Sequence, residues 1–167
     1  MMNKKIIFSF LVIIIFFLAG FFLINHFTPT QPPPTVGGGA ESGGGKIQHV
    51  NIAEQEIKVD LALTAAEQEQ GLSGRPGLAE NTGMLFVFPN PGNYQFWMKD
   101  MNFPIDMIWL SSDLKVVYIE KNATPESYPE TFGPGENDGS AKYVLEVVSG
   151  FSDKNNLKVG DEVFFTY

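Results

Sequence analysis

Hydrophobic positions fall into two regimes along this chain. Residues 6–24, IIFSFLVIIIFFLAGFFLI, form nineteen nearly uninterrupted apolar positions, broken only by Ser9 and Gly20. At about 1.5 Å of rise per residue, a helix of that length covers roughly the 30 Å hydrocarbon core of a bilayer. A cleaved signal peptide would carry a shorter apolar stretch followed by small residues; only Ala19-Gly20 suggests one, and Phe21-Phe22-Leu23-Ile24 continues the run. A retained transmembrane anchor over residues 1–27 is therefore expected. Lys4 and Lys5 precede it and no charge follows until Glu41. The positive-inside bias puts the N-terminus in the cytoplasm and everything after the span outside.

Residues 28–45, TPTQPPPTVGGGAESGGG, cannot make a core. The Pro-rich part is expected to be stiff and extended and the Gly-rich part a flexible coil, together reaching on the order of 50 Å. From residue 46 the pattern changes to period two. Ile57, Val59, Leu61 and Leu63 alternate with Lys58, Asp60 and Ala62, which predicts a strand with one buried face. Thr64 and Glu67 have the spacing of a capping box and Gly71 supplies a stop, so a two-turn helix follows.

Residues 84–88 are wholly apolar, Asn90-Pro91-Gly92-Asn93 reads as a turn, and residues 94–99 resume a strand, which together predict a hairpin. Further strands are expected over residues 105–110, 114–120, 142–148 and 162–166, with residues 122–140 as a Pro/Gly/acid-rich surface loop. Short, closely spaced strands without long helices predict a mostly β domain over residues 46–167. Its expected form is a compact antiparallel sandwich or barrel, jelly-roll-like, with one or two short helices.

Charge narrows the partners. Lys4 and Lys5 account for two of the eleven cations and Glu41 for one of the nineteen carboxylates, leaving nine against eighteen and a net charge of −9 after residue 45. Such a domain has no basic stripe with which to displace counterions, so no nucleic-acid partner is expected. There is no cysteine, which excludes disulfides, thiolate nucleophiles and Cys-containing zinc sites. Of the two histidines only His49 falls in the domain, too few for a two-His metal motif or most Ser-His-Asp arrangements. No metal and no cofactor are expected. The segment Gly135-Glu136-Asn137-Asp138-Gly139-Ser140 has oxygen ligands but lacks the spacing of a calcium loop, and Gly71, Gly74 and Gly77 lack the strand-to-helix context of a phosphate loop.

The candidate chemistry concentrates in FWMKDMNFPIDMIWL, residues 96–110. Strand alternation puts Trp97 and Lys99 on one face and Phe96 and Met98 on the other. Asp106 shares a face with Ile108 and Leu110, and Glu146 shares one with Val144 and Val148. A carboxylate among apolar neighbours is costly unless partnered, and Lys99 and Arg75 are the expected cations. Three roles compete for these groups: a structural ion pair, a ligand-recognition cluster, and acid/base catalysis. Trp97, Trp109, Tyr94, Tyr118 and Tyr143 could wall a site for flat ligands or simply pack the core.

Taken in order, GLSGRPGL (71–78), GMLFVF (83–88), FWMKDMNFPIDMIWL (96–110), NATPESYPETFGPG (122–135), YVLEVVSG (143–150) and VGDEV (159–163) resemble the family known as domain of unknown function 192. The resemblance covers nearly the whole domain and implies a compact β-rich fold, frequent export, and no established activity. Ser73 departs from the family pattern, where Met is frequent, and Asp100-Met101 stands where Asn-Thr is more common.

A non-catalytic envelope binding or interaction module is the leading expectation, with a ligand site expected at Arg75, Trp97, Lys99, Asp106 and Glu146 and an envelope carbohydrate or protein as partner. The alternatives are a carbohydrate-active or other envelope hydrolase using Asp106 and Glu146, and a structural partner of another membrane protein. The hydrolase requires both carboxylates in one open cleft within about 10 Å.

Overall fold

The computed structural model describes residues 46–135 and 137–167. The expected anchor and linker lie outside the described residues, as does Glu136. No helix among the described residues is long and apolar enough to cross a membrane.

The chain enters through a hairpin of β1 (His49–Ile52) and β2 (Gln55–Ala62). Its two-residue turn is Ala53-Glu54, with φ of 48° and 60°. Positive φ at both positions matches the twist of the flanking strands, which favours that turn even without glycine. Helix α1 (Ala65–Gln70) then forms as its sequence dictates. Thr64 Oγ1 accepts from the Glu67 amide at 3.3 Å, and Glu67 Oε2 accepts from the Thr64 amide at 2.9 Å. Gly71, at φ 49°, closes the helix by donating to the Glu67 carbonyl oxygen at 2.8 Å.

Strand β3 (Thr82–Gly92) runs parallel to β2, so β2–α1–β3 is a crossover unit inside an otherwise antiparallel sheet. The remaining elements are β4 (Phe96–Trp97), β5 (Ile105–Leu110), β6 (Val116–Ala123), a 3-10 turn (Pro125–Ser127), β7 (Thr131–Phe132), β8 (Ala141–Val148), α2 (Phe151–Lys154) and β9 (Val163–Thr166). Seven strands form one sheet in the order β6-β5-β8-β3-β2-β1-β9, and β4 pairs with β7 as a separate ribbon. The sheet curls into a half-barrel. Lys115, just before β6, bridges to Glu162, just before β9, and Val163 donates to the Leu114 carbonyl oxygen at 2.9 Å, so the two ends of the strand order meet at one point.

The mostly β expectation holds; in place of the expected antiparallel sandwich or barrel there is one curled half-barrel sheet, mixed rather than all antiparallel because β2 and β3 run parallel. The expected hairpin between β3 and β4 does not form. β3 takes its backbone partners from β2 and β8, and β4 takes its own from β7, inside the stretch read as a loop. What links the end of β3 to the chain after the turn is aromatic: Tyr94 stacks on Phe88 with ring centroids 3.5 Å apart, and its hydroxyl donates to the Asn90 carbonyl oxygen at 2.7 Å. His49 sits half-buried on β1 between β2 and β9.

Both faces of the central strands are buried, and each face has its own core. The first draws Val50, Ile57, Leu85, Ile108, Val116, Leu145 and Val163 from all seven strands and is the face that the curl encloses. The second lies on the other side of β3, β5 and β8, through Met84, Phe86, Met107, Trp109 and Val144. It is covered by Leu72, Met98 and the Tyr94–Phe96 region. Burial of each large side chain contributes on the order of 2 kcal/mol, so these covering segments are held firmly despite their short strands.

Candidate functional site

Strand β8 carries Glu146 into the second core. Its register neighbours are Met84 on β3 and Met107 on β5, both apolar and buried. The strands pack so closely that a Cβ at Gly83 would come within 2.6 Å of the Glu146 carbonyl oxygen. Glu146 is 5% exposed, and its Oε2 has no hydrogen-bond partner among the described residues. Burial pushes its carboxyl up to about 8, opposed by the positive charge of Arg75. Near neutral pH Glu146 is therefore mostly a protonated, uncharged acid.

Glu146 lines a cavity of about 350 Å³, within the ordinary size range of small-ligand pockets. The walls are Phe86 and Phe88 from β3, Tyr94, Phe96 and Trp97 around β4, and Leu72 and Met101 from the loops. One rim is α1 and its exit, residues 68–73. The rings support each other: Phe96 meets Phe86 edge-on at 4.8 Å and Trp109 at 5.6 Å.

The other polar side chains around the cavity are largely committed to backbone carbonyls. Gln68 donates to Ala62 and Val87, Gln70 to Ser73, Ser73 Oγ to Lys99, and Gln95 to Pro134. Glu146 is the buried polar group left free on an aromatic surface.

The structure brings some of the sequence-predicted residues together and separates others. Trp97 and Glu146 line the same cavity. Lys99 stands beside it in the turn after β4, with its ammonium 5.9 Å from the Trp97 ring centroid, while Met98 is buried. Arg75 is outside the cavity lining, with Nη1 2.9 Å from Asp60 Oδ2, yet close enough for its charge to act on Glu146.

Asp106 belongs to the opposite face. It faces Val147 across the β5–β8 ladder while Met107 faces Glu146, and successive strand residues alternate sides. The two carboxylates therefore share no cleft. Nor does Asp106 take Lys99 or Arg75 as its cation. Its Oδ1 accepts from the backbone amides of Asn122 at 2.9 Å and Gly150 at 3.1 Å, and its Oδ2 from that of Ser152 at 2.8 Å. Asn122 sits at a register shift of β6 with φ 53°, and Gly150 and Ser152 begin α2. Gly150 has no side chain to cap that turn, and the Asp106 carboxylate does the capping from a neighbouring strand.

The aromatic wall divides in the same way. Trp109 is fully buried and donates through Nε1 to the Tyr94 carbonyl oxygen at 2.8 Å. Tyr118 packs on Trp109 and Tyr143 on Phe165. Only Trp97 and Tyr94 of the five line the cavity. Phe86, Phe88, Phe96 and the α1 exit are site residues that sequence reasoning passed over. The alternation of Phe86 and Phe88 inside GMLFVF was the available signal, hidden in a uniformly apolar run. In the acidic loop, Asp138 Oδ2 accepts from the Gly135 amide at 2.8 Å, a local turn contact.

Among solved structures, the chain is similar to a protein of unknown function from Novosphingobium aromaticivorans, with 30% sequence identity and a TM-score of 0.65. The match covers 74% of this chain and 89% of that one. It is also similar to a candidate transcription regulator from Sinorhizobium meliloti, with 29% identity, a TM-score of 0.63, and 70% and 90% of the two chains covered. No curated protein matches. The model of the family DUF192, described as an uncharacterized ACR, matches residues 48–165, from β1 into β9 and so both faces of the sheet, and this chain belongs to that family.

Proposed function

We propose that this chain is a non-catalytic ligand-binding module of the cell envelope. In this reading residues 1–27 anchor it in the membrane with the N-terminus in the cytoplasm, and residues 28–45 present the domain outside. The observation that carries the reading is the aromatic cavity floored by Glu146, whose Oε2 is buried without a partner among the described residues. Buried polar atoms are seldom left unpaired, and one facing an apolar pocket is the arrangement by which a site fixes a ligand's orientation.

Catalysis by paired carboxylates gains no support from this geometry, because Asp106 lies across the sheet with its oxygens engaged by three amides. The transcription role in the name of the Sinorhizobium protein is a poor match for a domain of net charge −9.

A thermal-shift screen of envelope metabolites and glycans on the full chain tests the reading, repeated on Trp97→Ala. Ligands that raise the melting temperature of the wild type and not of the variant are expected. Ligands insensitive to Trp97, or consumed during incubation, would overturn it. Protease added to intact spheroplasts should cut within residues 28–45 and release a soluble domain. Survival of the domain until lysis would refute the outward orientation.

A further inference from the structure

The cavity's chemistry narrows the ligand class. A sugar or nucleoside needs several donors and acceptors, and around this cavity Gln68, Gln70, Ser73 and Gln95 already donate to backbone carbonyls. What remains is the buried Glu146, the Glu69 carboxylate on the α1 side, the amide oxygens of those glutamines and several ring faces, a lining of acceptors and aromatic surface. Aromatic faces carry negative electrostatic potential and bind cations, most strongly where water is excluded. The rim shows the preference in miniature, with the Lys99 ammonium lying 5.9 Å from the Trp97 ring centroid. The domain's net charge of −9 adds a long-range field that draws cations and repels anions.

We propose that the Glu146 cavity binds a small organic ammonium ion, seated among Phe86, Phe88, Tyr94, Phe96 and Trp97 with Glu146 as its counter-ion. This rests on the ligand-binding reading above and specifies its substrate class. An arriving ammonium supplies the partner that Glu146 Oε2 lacks. Arg75 does not supply it, being held by Asp60 at 2.9 Å. The other groups facing Glu146 are Met84 from β3 and Met107 from β5, both apolar; Glu69 lines the cavity on the α1 side, and Lys99 stands outside it.

Because Glu146 is protonated in the empty site near neutral pH, binding a cation ionises it and one proton leaves for solvent. A neutral ligand of the same shape releases none.

The test uses the full chain in a non-ionic polyoxyethylene detergent, titrated with choline, butylamine, N-acetylglucosamine and 3,3-dimethylbutan-1-ol. The last is the uncharged isostere of choline. Binding is read by tryptophan fluorescence, and proton release by calorimetry in two buffers of different ionisation enthalpy. At least one of choline and butylamine should bind at least ~10-fold more tightly than the isostere at neutral pH, with release of up to about one proton. Glu146→Gln copies the neutral acid, keeps the fold, and should lose both the preference and the proton release. Trp97→Ala, at a half-exposed position, checks the cage independently and should weaken cation binding by ~10-fold.

Equal binding of the isostere, or a cation preference that persists in Glu146→Gln, would overturn the ammonium proposal. Trp97-dependent binding of N-acetylglucosamine or the isostere alone would overturn it too, while leaving the binding module intact. Silence from all four probes up to about 10 mM would overturn both.

Discussion

Asp106 and Glu146 occupy adjacent strands of the same sheet, and both are almost stripped of water, at 0% and 5% exposure. On the enclosed face, Asp106 is surrounded by three amide donors that tie β5 to β6 and to the start of α2. On the other face, Glu146 looks into a cavity with an oxygen unpaired. Burial alone thus does not distinguish a structural carboxylate from one available to a ligand. What distinguishes them is whether the lone pairs are already engaged, and the two residues should part company under every perturbation that reads that difference.

The largest separation is expected with pH. The Glu146 carboxyl rises from its usual 4.5 to about 8 on folding. The folded state then holds a proton that the unfolded chain has released, so this residue's contribution is fully present below about 4.5 and is lost as pH rises through about 8. Comparing Glu146→Gln with the wild type isolates the effect, because every other group titrates in both. The variant should gain on the wild type by on the order of 4 kcal/mol between about pH 5 and 8, measured by denaturant unfolding. Parallel stability curves for the two proteins would mean that Glu146 is not the desolvated acid described above.

The next effect lies on the enclosed face. Asp106→Asn replaces one acceptor oxygen by an amide NH₂ pointed at backbone N–H groups, so a charge-assisted bond is lost and two donors confront each other. A cost of about 3 kcal/mol at neutral pH is expected. Glu146→Gln at the same pH should be no less stable than wild type. If Asp106→Asn proves the milder of the two, the contrast between engaged and free carboxylates collapses.

A smaller change sharpens the picture around the cavity. Arg75 is partly exposed and paired with an exposed Asp60, so Arg75→Met should alter stability by less than about 1 kcal/mol. It removes the positive charge that opposes the burial effect on Glu146, whose carboxyl should therefore titrate at higher pH than in the wild type. A carbon-detected titration of the Glu146 carboxyl reads this directly. An unchanged titration would show that Arg75 is not coupled to the site.

Much of the scaffold was legible from the sequence, because its signals are local. The capping box at Thr64 and Glu67, the stop at Gly71 and the strand Ile105–Leu110 follow from spacing within a few residues. The failures are all non-local. Whether Asp106 and Glu146 share a face depends on the register between β5 and β8, which no pattern within either strand specifies. Asp106 finds backbone amides rather than a cation, and such donors carry no side-chain signature. The β4–β7 ribbon joins two-residue strands, one of them within a Pro- and Gly-rich stretch, too short for any periodicity to register. The cavity was half visible: Trp97 and Glu146 were identified, while Phe86 and Phe88 were absorbed into a run that looked like uniform core.

The smallest effect separates the amide from the side chain at one residue of the Asp106 cluster. Ser152 is fully buried, and its hydroxyl has no partner among the described residues, whereas its amide donates to Asp106 Oδ2 at 2.8 Å. Removing an unpaired buried hydroxyl relieves a desolvation penalty and leaves a vacancy smaller than a water molecule. Ser152→Ala should therefore lie within about 1 kcal/mol of wild type, on the stabilising side if the hydroxyl is truly idle. The backbone bond is untouched by the change, so Asp106→Asn should cost as much in the Ser152→Ala background as in the wild type, and the two effects should add. A double-mutant cycle by denaturant unfolding measures this. Coupling well beyond about 0.5 kcal/mol would show that the hydroxyl, not only the amide, belongs to the Asp106 network.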